Sequence, residues 1–402
     1  MHHDALLILI AGVLLATGVA ASLGAARVRL PALVVFLGIG MAIGSDGLGW
    51  IEFDDYELAR SIGTVALVLI LFEGGVATGF REIRPVLRSS IVLAVGGTIV
   101  TALVTGVGAV WLFDFSSKEG LLLGAILSAT DGAAVFALLR GSHLPDRLAR
   151  TLEAEAGFND PVAVLLVVAL VELIQTPGYG ALDGAVFFVR ELGIGAIEGV
   201  IIGAGAAALL RRLAGAPSGL LLVSSAATAA VAYGAAASIG GSGFLAVYLA
   251  GLVLGDMRVP AREPIRAFHS GLASVSEIGM FLAFGLLVFP SQLGDVLVEG
   301  TLLGLVVAFV ARPLATVLAT AFEPFTNPER ALIGWAGLRG AVPVILATFP
   351  VIDGVPRSLE FFNIVFFAVL VSTVVQGSTV EVLAERLGLV TGHAEAGVEP
   401  II

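Results

Sequence analysis

Cysteine is absent from the 402 residues, which excludes disulfides and thiolate-bound metals. Histidine is scarce, five in all with no His-x-x-x-His pair, so a helical zinc site has no support. Charge is scarce as well. Only 13% of residues are charged, against about a quarter in soluble domains, and 58% are hydrophobic with a mean hydropathy of +1.03. A chain so written belongs in lipid. Aromatics are few and glycines many, 51 of them, which suits helices whose backbones approach closely in a bilayer. The first apolar run, 5–21, follows Met1-His2-His3-Asp4 with no basic stretch, so it reads as a first membrane helix and not a cleaved leader.

A span needs about 20 mostly apolar residues. Apolar runs between Gly, Pro and charge punctuation give thirteen: 5–24, 30–46, 61–79, 90–113, 119–140, 155–175, 187–210, 218–238, 242–256, 271–289, 296–321, 330–349 and 359–379. The eighth and ninth are parted only by Ile239-Gly240-Gly241. Alternate connections divide the basic residues 15 to 4, the rich set including Arg81, Arg84, Arg88, Arg140, Arg147, Arg150, Arg258, Arg262 and Arg266. By the positive-inside rule the N-terminus lies outside and the C-terminus in the cytoplasm of a cell inner (plasma) membrane protein. No polar linker divides residues 1–379. The tail, 380–402, reads as the start of a cytoplasmic extension cut short before a regulatory domain.

Ionisable groups at lipid depth are costly and usually mark a pathway. In the fifth span Ser128-Ala129-Thr130-Asp131-Gly132 sets an acid before a glycine, which predicts an interrupted helix presenting half-helix ends at the midplane. The sixth opens with Glu153-Ala154-Glu155-Ala156-Gly157-Phe158-Asn159-Asp160-Pro161. Glu155 and Asn159, four apart, share a face, while Asp160 points about 140° from Glu155. Acids at a helix N-terminus can serve the helix dipole, but that does not account for Asp160, which precedes an apolar run. In the eleventh span Arg312-Pro313 places a guanidinium that needs an anion. Gly337-Leu338-Arg339-Gly340 predicts a second break in the twelfth. Spans four to six and eleven to thirteen thus form triplets of opposite orientation, each broken in its middle member. That is the pattern of inverted repeats with two crossed, interrupted helices. Glu73 reads equally as a vestibule contact or a packing acid, and Glu198 and Glu277 as pore-facing or interfacial groups.

The stretches Ser128-Ala129-Thr130-Asp131 through Ala134-Val135-Phe136, Glu155, Asn159-Asp160-Pro161 and Gly337-Leu338-Arg339-Gly340-Ala341-Val342 resemble the NhaP/NHE-type monovalent cation:proton antiporters. The runs Gly243-Phe244-Leu245-Ala246-Val247-Tyr248-Leu249-Ala250-Gly251 and Ile278-Gly279-Met280-Phe281-Leu282 look like the bacterial potassium:proton subgroup. The resemblance implies an all-α, NhaA-like antiporter fold of about thirteen helices, with a core (90–175 and 296–379) and a dimerisation part (5–79 and 187–289). It implies that Asp160 binds cation or proton in turn, Asp131 and Thr130 line the site, Asn159 orients it, and Glu155 pairs with Arg312. Arg339 would balance the crossed breaks. At Ala156 the family often has Ser, so one hydroxyl is missing here. The expectation is a homodimeric secondary antiporter, not an enzyme, with no cofactor and no nucleic-acid partner. It would exchange K+, or alternatively Na+, for H+ electroneutrally. An ion channel is disfavoured because no carbonyl-rich filter motif is present. An intramembrane aspartyl protease would leave Arg312 and Arg339 without a purpose, and its Gly-x-Gly-Asp pattern is missing.

Overall fold

The computed structural model describes residues 2–28, 32–131, 144–256 and 261–390, and among these it holds helices and no strand. The helices are α1 (His2–Val28), α2 (Ala32–Ile43), α3 (Tyr56–Thr78), α4 (Phe80–Phe113), α5 (Ser117–Ile126), α6 (Asp146–Gln175), α7 (Ala181–Arg212), α8 (Ser218–Ser238), α9 (Gly243–Asp256), α10 (Arg262–Leu286), α11 (Pro290–Ala319), α12 (Asn327–Trp335), α13 (Ala341–Ile352), α14 (Ser358–Gln376) and α15 (Val380–Arg386). Eight of them are long and apolar enough to cross a membrane: α3, α4, α6, α7, α8, α10, α11 and α14. The shorter apolar helices α2, α9 and α13, and the apolar stretch Gly12–Gly24 of α1, account for most of the other expected spans. With 14 residues α9 is only about 21 Å long. Wrapped by α3 and α7 and almost wholly buried, it need not match the hydrocarbon thickness.

Local chemistry sets the boundaries. Asp55 caps α3 by accepting from the Leu58 N–H at 2.8 Å. α8 closes at Gly240, whose φ of 73° carries the chain into α9 three residues later. The two broken spans begin alike. Ser116 with Glu119 forms a capping box at the start of α5, and Thr326 with Glu329 another at the start of α12. Each half-helix then stops after about ten residues, at Ile126 and at Trp335. The second half of the fifth expected span, with Gly132, the Ala134-Val135-Phe136 motif and Arg140, lies outside the described residues, as do Arg258 and residues 391–402 of the tail.

The connections fall into two groups at opposite ends of the bundle. At one end Arg88 pairs with Glu323 at 3.2 Å, Arg150 with Glu82 at 3.0 Å, and Arg81 with Asp256 at 3.3 Å. There Arg147 also donates to the Pro324 carbonyl at 3.0 Å. At the other, Arg357 donates to the Phe113 carbonyl at 3.2 Å, Lys118 to that of Leu173 at 2.7 Å, and Gln175 to that of Asp353. The four connections of the first end all belong to the arginine-rich set. A smaller apolar cluster at that end, built on Leu148, Leu152, Phe325, Leu332 and Val380, seats α15 against α6 and α12.

One feature carries no sequence signal. Three helices contain a π-helical turn: α4 over Leu93–Gly97, α11 over Val307–Ala311 and α14 over Ser372–Gln376. Such turns widen a helix by one residue and favour functional sites. Thr98 follows the first directly, and Arg312 the second.

Candidate functional site

The two breaks meet. The Asp131 N–H donates to the Leu338 carbonyl at 2.8 Å, joining the extended residues after α5 to those after α12. Gly340 faces the Asp131 side chain so closely that an added Cβ would lie 2.7 Å from Asp131 Cβ and nearer still to its carboxyl. Only a glycine lets the two extended segments pass at this point.

Each break is tied to its neighbouring helix by a side chain that accepts a backbone N–H. Asn159 Oδ1 of α6 accepts from Thr130 at 2.7 Å, and Ser372 Oγ of α14 accepts from Arg339 at 2.8 Å. The first tie continues into α4, since Asn159 Nδ2 donates to Thr98 Oγ1, whose hydroxyl in turn donates to the Ala94 carbonyl at 2.5 Å. The second continues within α14. There Ser372 donates to Gln376 Oε1 at 2.7 Å, and Gln376 Nε2 donates to the Trp335 carbonyl at 3.0 Å. Thr373 Oγ1 donates to the Arg339 carbonyl at 3.0 Å. Thr98, Ser372, Thr373 and Gln376 were not singled out by the sequence. Their one signal is a polar side chain inside an apolar span, and most such hydroxyls bond only their own helix.

The charges divide between two flanks. On one, Arg312 reaches Glu155 with Nη2–Oε1 at 2.5 Å, both side chains 2% exposed. Arg312 threads past Gly97 at the end of the α4 π turn and past Gly337 in the α12 break. Arg339, 1% exposed, lies within electrostatic reach of both, and none of its guanidinium nitrogens has a hydrogen-bond partner among the described residues. On the other flank Asp160, 1% exposed, lies within electrostatic reach of Asp131. Asp160 Oδ1 and Thr130 Oγ1 are buried and make no hydrogen bond among the described residues. Buried polar atoms are rarely left so. Two oxygens without partners among the described residues, beside a second carboxylate, can hold a hard cation or a proton.

Glu73 stands apart. It lines a cavity of about 290 Å³ between α3 and α10 with Glu263, Arg266 and His269, and none of the α6 residues reaches that lining. Glu198 and Glu277 are half-buried on α7 and α10.

The family model described as sodium/hydrogen exchanger, transmembrane, matches residues 11–386. The chain belongs to that family. It is 43% identical over 388 residues to the K(+)/H(+) antiporter NhaP of Alkalimonas amylolytica, covering 96% of this chain and 67% of that one. It is 40% identical over 382 residues to the K(+)/H(+) antiporter NhaP2 of Shewanella oneidensis, covering 94% and 66%. The chain thus spans about two thirds of the length of these relatives. The Na(+)/H(+) antiporter NhaH of Halobacillus dabanensis is 27% identical over 410 residues, covering 97% of this chain and all of its own length. Among solved structures, the sodium proton antiporter MjNhaP1 of Methanocaldococcus jannaschii superimposes with a TM-score of 0.82, covering 94% of this chain and 98% of the other. At 22% identity that likeness establishes a shared all-α fold.

Proposed function

We propose that the chain is a secondary antiporter exchanging a monovalent cation for a proton across the membrane, the two competing for Asp160. The observation that carries this reading is the buried Asp160 Oδ1, without a hydrogen-bond partner among the described residues, near Thr130 and Asp131 where the two breaks meet. Asp160 takes a dehydrated cation or a proton, never both. Asn159 holds the broken strand in place, and Glu155, Arg312 and Arg339 offset the half-helix ends. The preferred ion is K+, supported by the relatives named as K(+)/H(+) antiporters. Na+ is the second reading, supported by the more distant relative named for Na(+).

The core, 90–175 and 296–379, moves against a dimerisation part, 5–79 and 187–289, once the carboxyl is neutralised. The two parts are joined near Gly79, a single residue between α3 and α4 with φ of 79°. The working unit is a homodimer in the inner membrane, N-terminus outside and C-terminus in the cytoplasm. The deciding experiment is exchange in proteoliposomes with an internal pH dye, comparing K+, Na+ and Li+ gradients. Asp160→Asn should insert and melt like the parent and exchange none of the three. Substantial cation-driven proton flux in that variant would refute competition at Asp160.

A further inference from the structure

Helix α9 is clamped on two flanks. Gly251 and Gly255 lie against the α3 backbone at Phe72 and Val76, and Gly75 of α3 lies against the Tyr248 carbonyl. On the other flank Gly195, Gly199 and Gly203 of α7, four residues apart, meet Ser242, Ala246 and Ala250. Such close backbone contact fixes α9 to α3 and α7.

Towards α6 a buried aromatic ring forms part of the contact. Tyr248 is fully buried, and the hydroxyl-bearing end of its ring lies over Gly157. A Cβ there would fall 2.8 Å from Tyr248 Cε1 and nearer still to Cζ. Phe158 meets the same ring edge-on, with centroids 5.2 Å apart. Tyr248 Oη has no hydrogen-bond partner among the described residues, although buried phenols usually find one.

Gly157 stands between Glu153, four residues before it, and Asp160, three after, on one face of α6. Both carboxylates lie within electrostatic reach of Tyr248. The helical rise sets Asp160 about 4.5 Å from Gly157 along the axis and Glu153 about 6 Å the other way. Glu153 is already engaged by Arg150 at 2.9 Å, whereas Asp160 has an oxygen without a partner among the described residues. A displacement of α6 by less than one turn against the clamped α9 therefore brings Asp160 beneath the hydroxyl. Gly157 leaves the ring a side-chain-free track for that movement.

The geometry points to Tyr248 as a cation-contacting residue, its hydroxyl oxygen joining Asp160 around the dehydrated cation in the displaced state. The inference rests on the reading of Asp160 as the exchanging carboxylate. The test is Tyr248→Phe, which keeps the ring over Gly157 and removes only the oxygen. In the proteoliposome assay the half-saturating K+, Na+ or Li+ concentration should rise about tenfold, the scale of one contact between a polar group and a charge. The maximal rate and the melting midpoint in detergent should hold. An unchanged half-saturating concentration overturns the inference. So does a lower maximal rate at unchanged half-saturation, which would mark a packing role. Asp160→Asn separates the two ideas. If that variant still exchanges, the carboxylate reading fails whatever Tyr248 does. If it is inactive while Tyr248→Phe matches the parent, only the Tyr248 inference fails.

Discussion

Removing both partners of the Glu155–Arg312 pair should cost less than the two single losses added together, and those single losses should be unequal. The groups touch at 2.5 Å, each 2% exposed, so solvent screens them little. Truncating one side of such a pair typically costs about 3–5 kcal/mol because the surviving charge is stranded. Removing both leaves neither member of the pair stranded by the loss of the other, so the double variant should fall at least about 2 kcal/mol short of the sum. Arg339 breaks the symmetry. It lies within reach of Glu155, so Arg312→Ala leaves the carboxylate a second guanidinium to turn to. Glu155→Ala instead strands two buried arginines facing each other, and should be the more damaging change. The assay is thermal unfolding of the four proteins in one detergent, by fluorescence-detected size exclusion at a fixed scan rate, since membrane proteins often unfold irreversibly. Additivity of the two single effects, to within about 0.5 kcal/mol, would mean the pair is not coupled. Equal or inverted single effects would mean Arg339 does not share the carboxylate.

Three other outcomes follow from the same geometry. If Asp160 alone exchanges one cation for one proton, rates from Na+ or Li+ gradients should not respond to a valinomycin-clamped potential, whereas a net charge would feel about 2.3 kcal/mol per 100 mV. A rate that follows the potential would implicate Asp131 as a second carrier, and current recordings on solid-supported membranes would test the K+ case. Gly340→Ala puts a methyl into the Asp131 carboxyl and should abolish exchange with a clear loss of melting temperature; parental activity would mean the breaks are looser than drawn. Ser372→Ala removes the acceptor of the Arg339 N–H and should cost about 1–3 kcal/mol of stability and slow exchange, measured by melting and by the dye assay.

Much of the architecture was legible because lipid makes charge conspicuous. Asp131 and Arg339 each stand out in an apolar span next to a glycine, and α5 and α12 both end just ahead of those residues, as that reading expects. The arginine-rich connections could be sorted by sign alone, and they do gather at one end. What the sequence hid is what depends on neighbours. Thr98 and Ser372 look like the many hydroxyls that bond only their own helix, and what sets them apart is the side chain or broken strand packed opposite. Glu73 was equivocal because an acid in a span can serve any cavity, and only packing decides which one it lines. The π turns left no trace, since an i→i+5 bond asks nothing of composition.

Those turns bear on how the chain tolerates change in length. A π turn is an α-helix holding one surplus residue, wound more loosely so that the helix beyond it keeps its angular phase. Regular winding of all five residues 307–311 would swing Arg312 about 100° away from Glu155. Deleting one of them would instead let α11 relax to regular winding with Arg312 still facing its partner. The same holds for 93–97, which leads into Thr98 and its contact with Asn159. When relatives are aligned, a gap within either turn is therefore no sign that the pair beyond it has been lost.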